Sequence, residues 1–170
     1  MSALYGIVVA ILVLAGFLAA TSYLRARLSV ALTIKIADAT TQVFSDDGSC
    51  IVEVPTTVRY ATDSGAARVV AFGADTVVKG SSDGVELSLA TPPGNVPREL
   101  HDAWGAYITY CCEKARRELG VAAWRPLRVE VFADTSEPGA NDLFRRQASQ
   151  KALRWIGHVR AAQGQPPRSL

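Results

Sequence analysis

The sequence predicts an α/β domain built on a mixed sheet and preceded by one transmembrane helix. Three observations predict it. The first 24 residues carry no Asp, Glu, Lys or Arg, and all 34 of those side chains lie beyond them. Residues 28 to 89 hold short runs in which apolar and polar residues alternate, the period of a half-buried strand. From residue 95 onward the period becomes helical, with one strand set between two helices. A chain of 170 residues with this head leaves room for one globular domain, too few residues for a barrel of eight strands and eight helices. Its apolar content excludes disorder, and a net charge of +2 gives no global pull toward nucleic acid.

The head, Ala3 to Leu24, is ALYGIVVAILVLAGFLAATSYL. A helix of that length is roughly 33 Å long, enough for a hydrocarbon core of about 30 Å. Tyr5 and Tyr23 fall near its ends, where amphipathic rings favour the interface. A cleaved signal peptide would need a basic leader and a shorter apolar run, and MSALY has no basic residue. Arg25 and Arg27 follow at once, so the domain is expected on the cytoplasmic side of an inner membrane. Gly6/Ala10 and Gly16/Ala20 have the spacing of helix-packing pairs, but small residues are common in such helices and chance suffices. The expected division is an anchor over 1–27, a domain over 28–163 and a disordered tail over 164–170.

In the domain, Leu28, Val30, Leu32, Ile34 and Ile36 alternate with small or polar residues and read as a strand. Further strands are expected over Thr40–Phe44, Cys50–Val54, Thr57–Ala61, Arg68–Phe72 and Val85–Leu89, forming a meander. Asp46-Asp47-Gly48 and Asp63-Ser64-Gly65 supply turns, and Pro55 and Pro92-Pro93-Gly94 act as stops. Ala74–Lys79 is expected to be a short helix. Asn95 as N-cap, Pro97 in the first turn and Gly120 past the end bracket a long helix. Leu100, Ala103, Tyr107, Cys111, Ala115 and Leu119 form its apolar stripe. Leu127–Ala133 is a strand. A loop, Asp134–Asp142, then leads to a final helix over about 143–162 with Phe144, Ala148, Ala152, Trp155 and Val159 on one face.

Candidate chemistry is sparse. Cys50, Cys111 and Cys112 make an odd set without disulfide or zinc spacing, given only His101 and His158, and are expected to be buried free thiols. His101 has no nucleophile near it in sequence, and no nucleophile elbow is present. Asp46-Asp47 is a turn rather than an acid/base pair. Asp134-Thr135-Ser136-Glu137 follows a strand end, where ligand loops occur, but its residue types also suit a helix cap, which is favoured. Trp104, Trp124 and Trp155 are expected to serve packing. Charge splits along the chain: 4 basic and 8 acidic residues over 28–95, 12 basic and 8 acidic over 96–170. Arg145, Arg146 and Arg154 on the last helix, with Arg25 and Arg27, are the candidates to face anionic lipid. A solvated helix face is the simpler reading.

These segments, in this order, resemble subdomain IA of the actin/Hsp70 superfamily, in particular the bacterial rod-shape actin MreB. The family opens on a pattern like S-I-D-L-G-T-A-N-T-L-I-Y, and Thr33 to Phe44, TIKIADATTQVF, lies on it without gaps. A glycine turn, an apolar strand and a Pro-led segment follow, matched by Asp46-Asp47-Gly48, Cys50–Val54 and Pro55-Thr56-Thr57-Val58. Val69-Val70-Ala71-Phe72-Gly73-Ala74 matches the family's next strand and alanine-rich segment. Arg125-Pro126-Leu127-Arg128-Val129 matches its Pro-Arg-Val strand, and Leu143-Phe144-Arg145-Arg146-Gln147-Ala148 its next helix. The resemblance runs from about Leu28 to Arg160.

The resemblance implies a ribonuclease H-like, actin-like fold, and in the family the first hairpin is a phosphate loop. There an Asp serves the metal and the attacking water, and a Gly lets backbone N–H groups approach the phosphates. Here those positions hold Lys35 and Ala37, and Asp38 stands where the family has Thr. A lysine cannot orient a metal-bound water as a carboxylate does. Ala37 has a Cβ, and Asp38 sets negative charge against an anion. The resemblance ends before the family's second phosphate loop, and no Gly-x-x-x-x-Gly-Lys-[Ser/Thr] loop replaces it. The expectation is therefore a non-enzymatic, cofactor-free, membrane-anchored interaction or scaffold domain. It would dock a cytoskeletal or envelope protein in cell-shape or envelope organisation, with self-association open. A nucleotide-binding or ATPase subunit completed by a partner chain, and a lipid-surface module using the basic last helix, are the alternatives.

Overall fold

A computed structural model describes residues 2–63, 65–73, 84–91, 94, 96–149 and 157–161. The apolar head forms a helix, α1, over Ser2–Leu28. Within it Gly6–Leu24 is long and apolar enough to cross a membrane, and none of that span is buried against the rest of the protein. Its side chains are apolar on every side, which suits a lipid environment better than one face of a soluble core.

The domain begins directly after it. Strands β1 (Val30–Ile36), β2 (Thr40–Ser45) and β3 (Cys50–Pro55) run antiparallel as two successive hairpins. β7 (Leu127–Ala133) and β8 (Gly157–Ala161) pair in parallel on the other side of β1, giving the order β3-β2-β1-β7-β8. This is the expected mixed sheet. The alternation in β1 sorts its residues as predicted: Leu32, Ile34 and Ile36 are buried, and Ala31, Thr33 and Lys35 lie on the half-exposed opposite face.

One expectation is corrected at Thr56. The six early strands do not form a single meander: β4 (Thr57–Asp63), β5 (Ala66–Phe72) and β6 (Val85–Ser88) make a separate antiparallel sheet of order β5-β4-β6. Pro55 has no N–H to extend the ladder, and Thr56 carries the chain from one sheet to the other. Its N–H donates to Ala39 O at 3.0 Å, and its own carbonyl accepts from the Leu89 N–H at 3.0 Å. The expected helix over Ala74–Lys79 lies outside the described residues.

The long helix begins later than its sequence signals suggest. Pro97 leads a single 3-10 turn, Arg98–Leu100, and the α-helix, α2, occupies Ala103–Glu118. Leu100 and Trp104 are both buried where the helix begins, and Asn95, the expected N-cap, lies outside the described residues. The end is as predicted. Gly120 takes φ +61, its N–H bonds Arg117 O, and the Val121 N–H bonds Arg116 O, a paired closure that favours glycine.

The last helix is corrected at both ends. α3 covers Pro138–Ala148, starting with Pro138 just inside it, not at 143. It does not continue to 162, because residues 157–161 form β8 beside β7, with Val159 opposite Val129. A parallel neighbour requires a crossover, and α3 is that crossover. Of the expected face Phe144, Ala148, Ala152, Trp155 and Val159, only the first two are shown on the helix; Ala152 and Trp155, like the expected tail 164–170, lie outside the described residues.

The core is the buried face of the large sheet with α2 and α3 on it. Trp104, Tyr107 and Phe144 sit at its centre, and the rings of Trp104 and Phe144 meet edge to face at 6.3 Å. α3 approaches α2 at Gly105, where a Cβ would lie 2.8 Å from Gln147 Oε1. Both Cys111 and Cys112 are buried, but Cys50 is exposed, against expectation, at the outer end of edge strand β3. Burial pushes the Cys111 thiol up to about 12 and that of Cys112 higher still. At neutral pH one thiol, Cys50, is expected to react quickly with a disulfide reagent in the native protein, and all three after denaturation. Fast modification of more than one would contradict this packing.

Candidate functional site at the carboxyl end of the central strands

β1 and β7 run side by side and end together, so the turn after β1 and the loop after β7 share one end of the sheet. This is where open α/β sheets hold ligands. The backbone here is tightly closed. In the β1–β2 turn the Ala37 N–H donates to Thr40 O at 3.1 Å. The Thr56 hydroxyl donates to Ala37 O at 2.8 Å and lies 2.9 Å from the buried Thr41 hydroxyl. The Tyr107 hydroxyl donates to Pro55 O at 2.8 Å, and burial holds that phenol well above its usual range. Across the seam the Asp134 N–H donates to Ile36 O at 2.9 Å.

The loop Asp134–Glu137 is organised from within. Asn141 Oδ1 accepts from the Thr135 N–H at 2.9 Å, and Asn141 Nδ2 donates to Thr135 O at 3.0 Å. The Thr135 hydroxyl is 3.0 Å from the same Oδ1 and 3.1 Å from Glu137 O, one of which takes its proton. This fastens the approach to α3, although Glu137 itself, at the N-cap, makes no side-chain cap bond.

The key contact joins the two segments. Asp38 Oδ1 accepts from the Ser136 N–H at 2.8 Å and lies 3.2 Å from the Ser136 hydroxyl. The donors aimed into this end of the sheet, at the approach to a helix N-terminus, thus meet a carboxylate that the chain supplies itself. Such donors are what an anionic ligand would use.

Of the three residues singled out in the first hairpin, Ala37 and Asp38 lie in the turn at this end. Lys35 lies on the outer face of β1, paired in register with Gln42 and Phe132. The turn and the β7–α3 loop come together although 98 residues separate Asp38 from Ser136. Thr56 and Asn141 have no site role in the sequence, and Ser136 stands there only in the Asp134–Glu137 segment, weighed between a ligand loop and the favoured helix cap. The Pro-led segment and the polar loop marked where they lie, but partners so far apart leave no spacing signal.

The lipid-facing candidates lie on separate elements. Arg25 and Arg27 fall in the last turns of α1. Arg145 and Arg146 are exposed in the last turn of α3, with Arg145 3.4 Å from Asp142. Arg154 lies outside the described residues. Asp46 and Asp47 form the β2–β3 turn. The Ser45 hydroxyl, then the Ser49 hydroxyl and Ser49 N–H, donate to Asp47 and hold its carboxyl at about 2, a turn rather than an acid. His101 stacks edge-on against Trp104 at 6.4 Å. Trp104 serves the core, its indole N–H donating to Leu89 O at 3.0 Å. Trp124 does not pack: it is 71% exposed. Among the described residues no group of three or more His, Cys, Asp or Glu could hold a metal.

Fold and site together define a mixed-sheet α/β domain behind one apolar helix, with the turn after its first strand tied down by an internal carboxylate. No family model matches the chain, and no curated protein matches it. Among solved structures it is similar to MreB 5 of Spiroplasma citri bound to AMPPNP, with 11% identity and a TM-score of 0.45. That alignment covers 78% of this chain and 37% of the other, so the chain spans little more than a third of that protein's length.

Proposed function

We propose that the protein is a non-catalytic, actin-like module held at a membrane by α1, which offers its domain to a cytoskeletal or envelope protein. The observation that carries the reading is the Asp38–Ser136 contact. A nucleotide phosphate placed at this turn would meet the Asp38 carboxylate instead of free donors, and repulsion between like charges opposes it. Lys35 stands where catalysis in the resembled family needs a carboxylate, and its place on the sheet supports the same conclusion. In this reading the domain lies in the cytoplasm, on the side marked by Arg25 and Arg27, and works as a scaffold in cell-shape or envelope organisation.

The test is equilibrium binding of labelled ATP with Mg²⁺ to the full-length protein in detergent. No saturable binding is expected up to millimolar nucleotide. Micromolar binding would overturn the non-catalytic reading and favour a nucleotide-binding subunit. The lipid-surface alternative draws on the exposed pair Arg145 and Arg146.

A further inference from the structure

The opposite end of the sheet carries a second constellation, around the junction of α1 with the domain. Leu28 closes α1, and its carbonyl accepts from Arg125 Nε at 3.1 Å. Two residues on, the Val30 N–H donates to Pro126 O at 3.0 Å. The α2–β7 loop is therefore bonded directly to the end of the apolar helix. That loop is also braced from below. Arg116, 5% exposed, donates from Nη1 to Ala123 O at 2.9 Å and from Nη2 to Arg125 O at 3.2 Å. The Arg125 N–H closes a turn onto Ala122 O at 3.0 Å. Between the two clamped carbonyls stands Trp124, 71% exposed, the most exposed large apolar side chain described in this chain. Leu28 and Leu119, 41% and 38% exposed, carry apolar surface on the segments that meet there.

Two guanidinium hydrogen bonds fix the backbone on either side of Trp124, and the loop so held presents a large indole outward. The last residue of α1, four residues past the apolar span Gly6–Leu24, is bonded directly to Arg125 beside Trp124, which says which partner is at hand. Indole rings concentrate at the boundary between headgroups and acyl chains, where the ring is buried and its N–H stays wet. Resting on the reading that α1 spans a membrane, we propose that Trp124 seats in that boundary of the same bilayer. Arg125, by bonding the last carbonyl region of α1, fixes the domain's orientation on it as a positioning residue. β1 and β7 then point away from the membrane, and the Asp38–Ser136 end stands roughly 20 Å farther out, the length of a seven-residue strand. That end, and not the α1 junction, would face a protein partner.

The experiment uses the full-length protein with Trp155→Phe, reconstituted in phosphatidylcholine vesicles carrying a nitroxide high or low on the acyl chain. The Trp124 signal is the difference on adding Trp124→Phe, since Trp104 is fully buried. A blue-shifted Trp124 emission, quenched more by the shallow nitroxide than by the deep one, is expected. Adding Arg125→Ala should weaken that quenching without loss of flotation. A water-like emission untouched by either quencher, in protein that floats with the vesicles after an alkaline wash, would overturn this proposal alone. Unchanged quenching in Arg125→Ala would overturn the positioning role. Protein that fails to float overturns the membrane-spanning reading and this one with it.

Discussion

Leu12→Arg combined with Leu14→Arg is expected to release the full-length protein from membranes. Both residues are exposed in the middle of α1, with no core to shelter them. A charged residue near the centre of a spanning helix costs about 2.5–3.5 kcal/mol on insertion scales, so the pair costs about 5–7 kcal/mol. That is enough to turn a stable span into one that does not insert. Alkaline extraction and flotation measure it: the parent protein should stay with the vesicles and the double variant should not. The domain should remain folded, because none of the described side chains of α1 belongs to the buried core. Equal flotation of both proteins would rule out a spanning α1. The intact mass of membrane-derived protein distinguishes an anchor from a cleaved leader, since only an anchor keeps residues 1–24.

The second large effect is on folding. Trp104→Ala should destabilise the domain by about 3–5 kcal/mol, the range for removing a fully buried large aromatic side chain. Three losses combine. The indole fills the space between α2 and α3, its edge contact with Phe144 at 6.3 Å disappears, and Leu89 O is left without the donor that reaches it at 3.0 Å. Leu89 follows β6, so this bond also ties the second sheet to the helical layer. Against a total stability of about 5–15 kcal/mol this is a large share. A denaturant titration followed by circular dichroism should show the midpoint fall sharply. Trp104→Phe, which keeps most of the packing but lacks the N–H, should fall between the two. A midpoint for Trp104→Ala close to that of the parent would contradict the core described above.

Much of the local structure was legible because it is written in short-range patterns. The alternation in Leu28–Ile36 predicts β1 and the burial of Leu32, Ile34 and Ile36, since a strand's faces follow its period, but Leu28 belongs to α1 and is exposed. The glycine at 120 predicts the end of α2, because a left-handed closure favours that residue. Where prediction failed, a distant partner outweighed a local preference. Residues 157–161 continue a helical spacing from Phe144, yet they extend beside β7, whose edge they cover. The meander divides at Thr56 because its amide and carbonyl bond Ala39 and Leu89. Cys50 departs from the burial expected of the cysteines because β3 is an edge strand and its outer end is open.

The sequence by itself determined the division into an uncharged head and a charged domain, the mixed α/β character, and the presence of Lys35, Ala37 and Asp38 in the first hairpin. Composition and periodicity need only neighbouring residues to be read. Only the tertiary structure decided what Asp38 contacts and where Trp124 stands. The first depends on Ser136, 98 residues away, and the second on Arg116 and on the carbonyl of Leu28, 97 residues from Arg125. Contacts between residues so far apart arise when parallel strands bring their ends together, and no spacing along the chain records them.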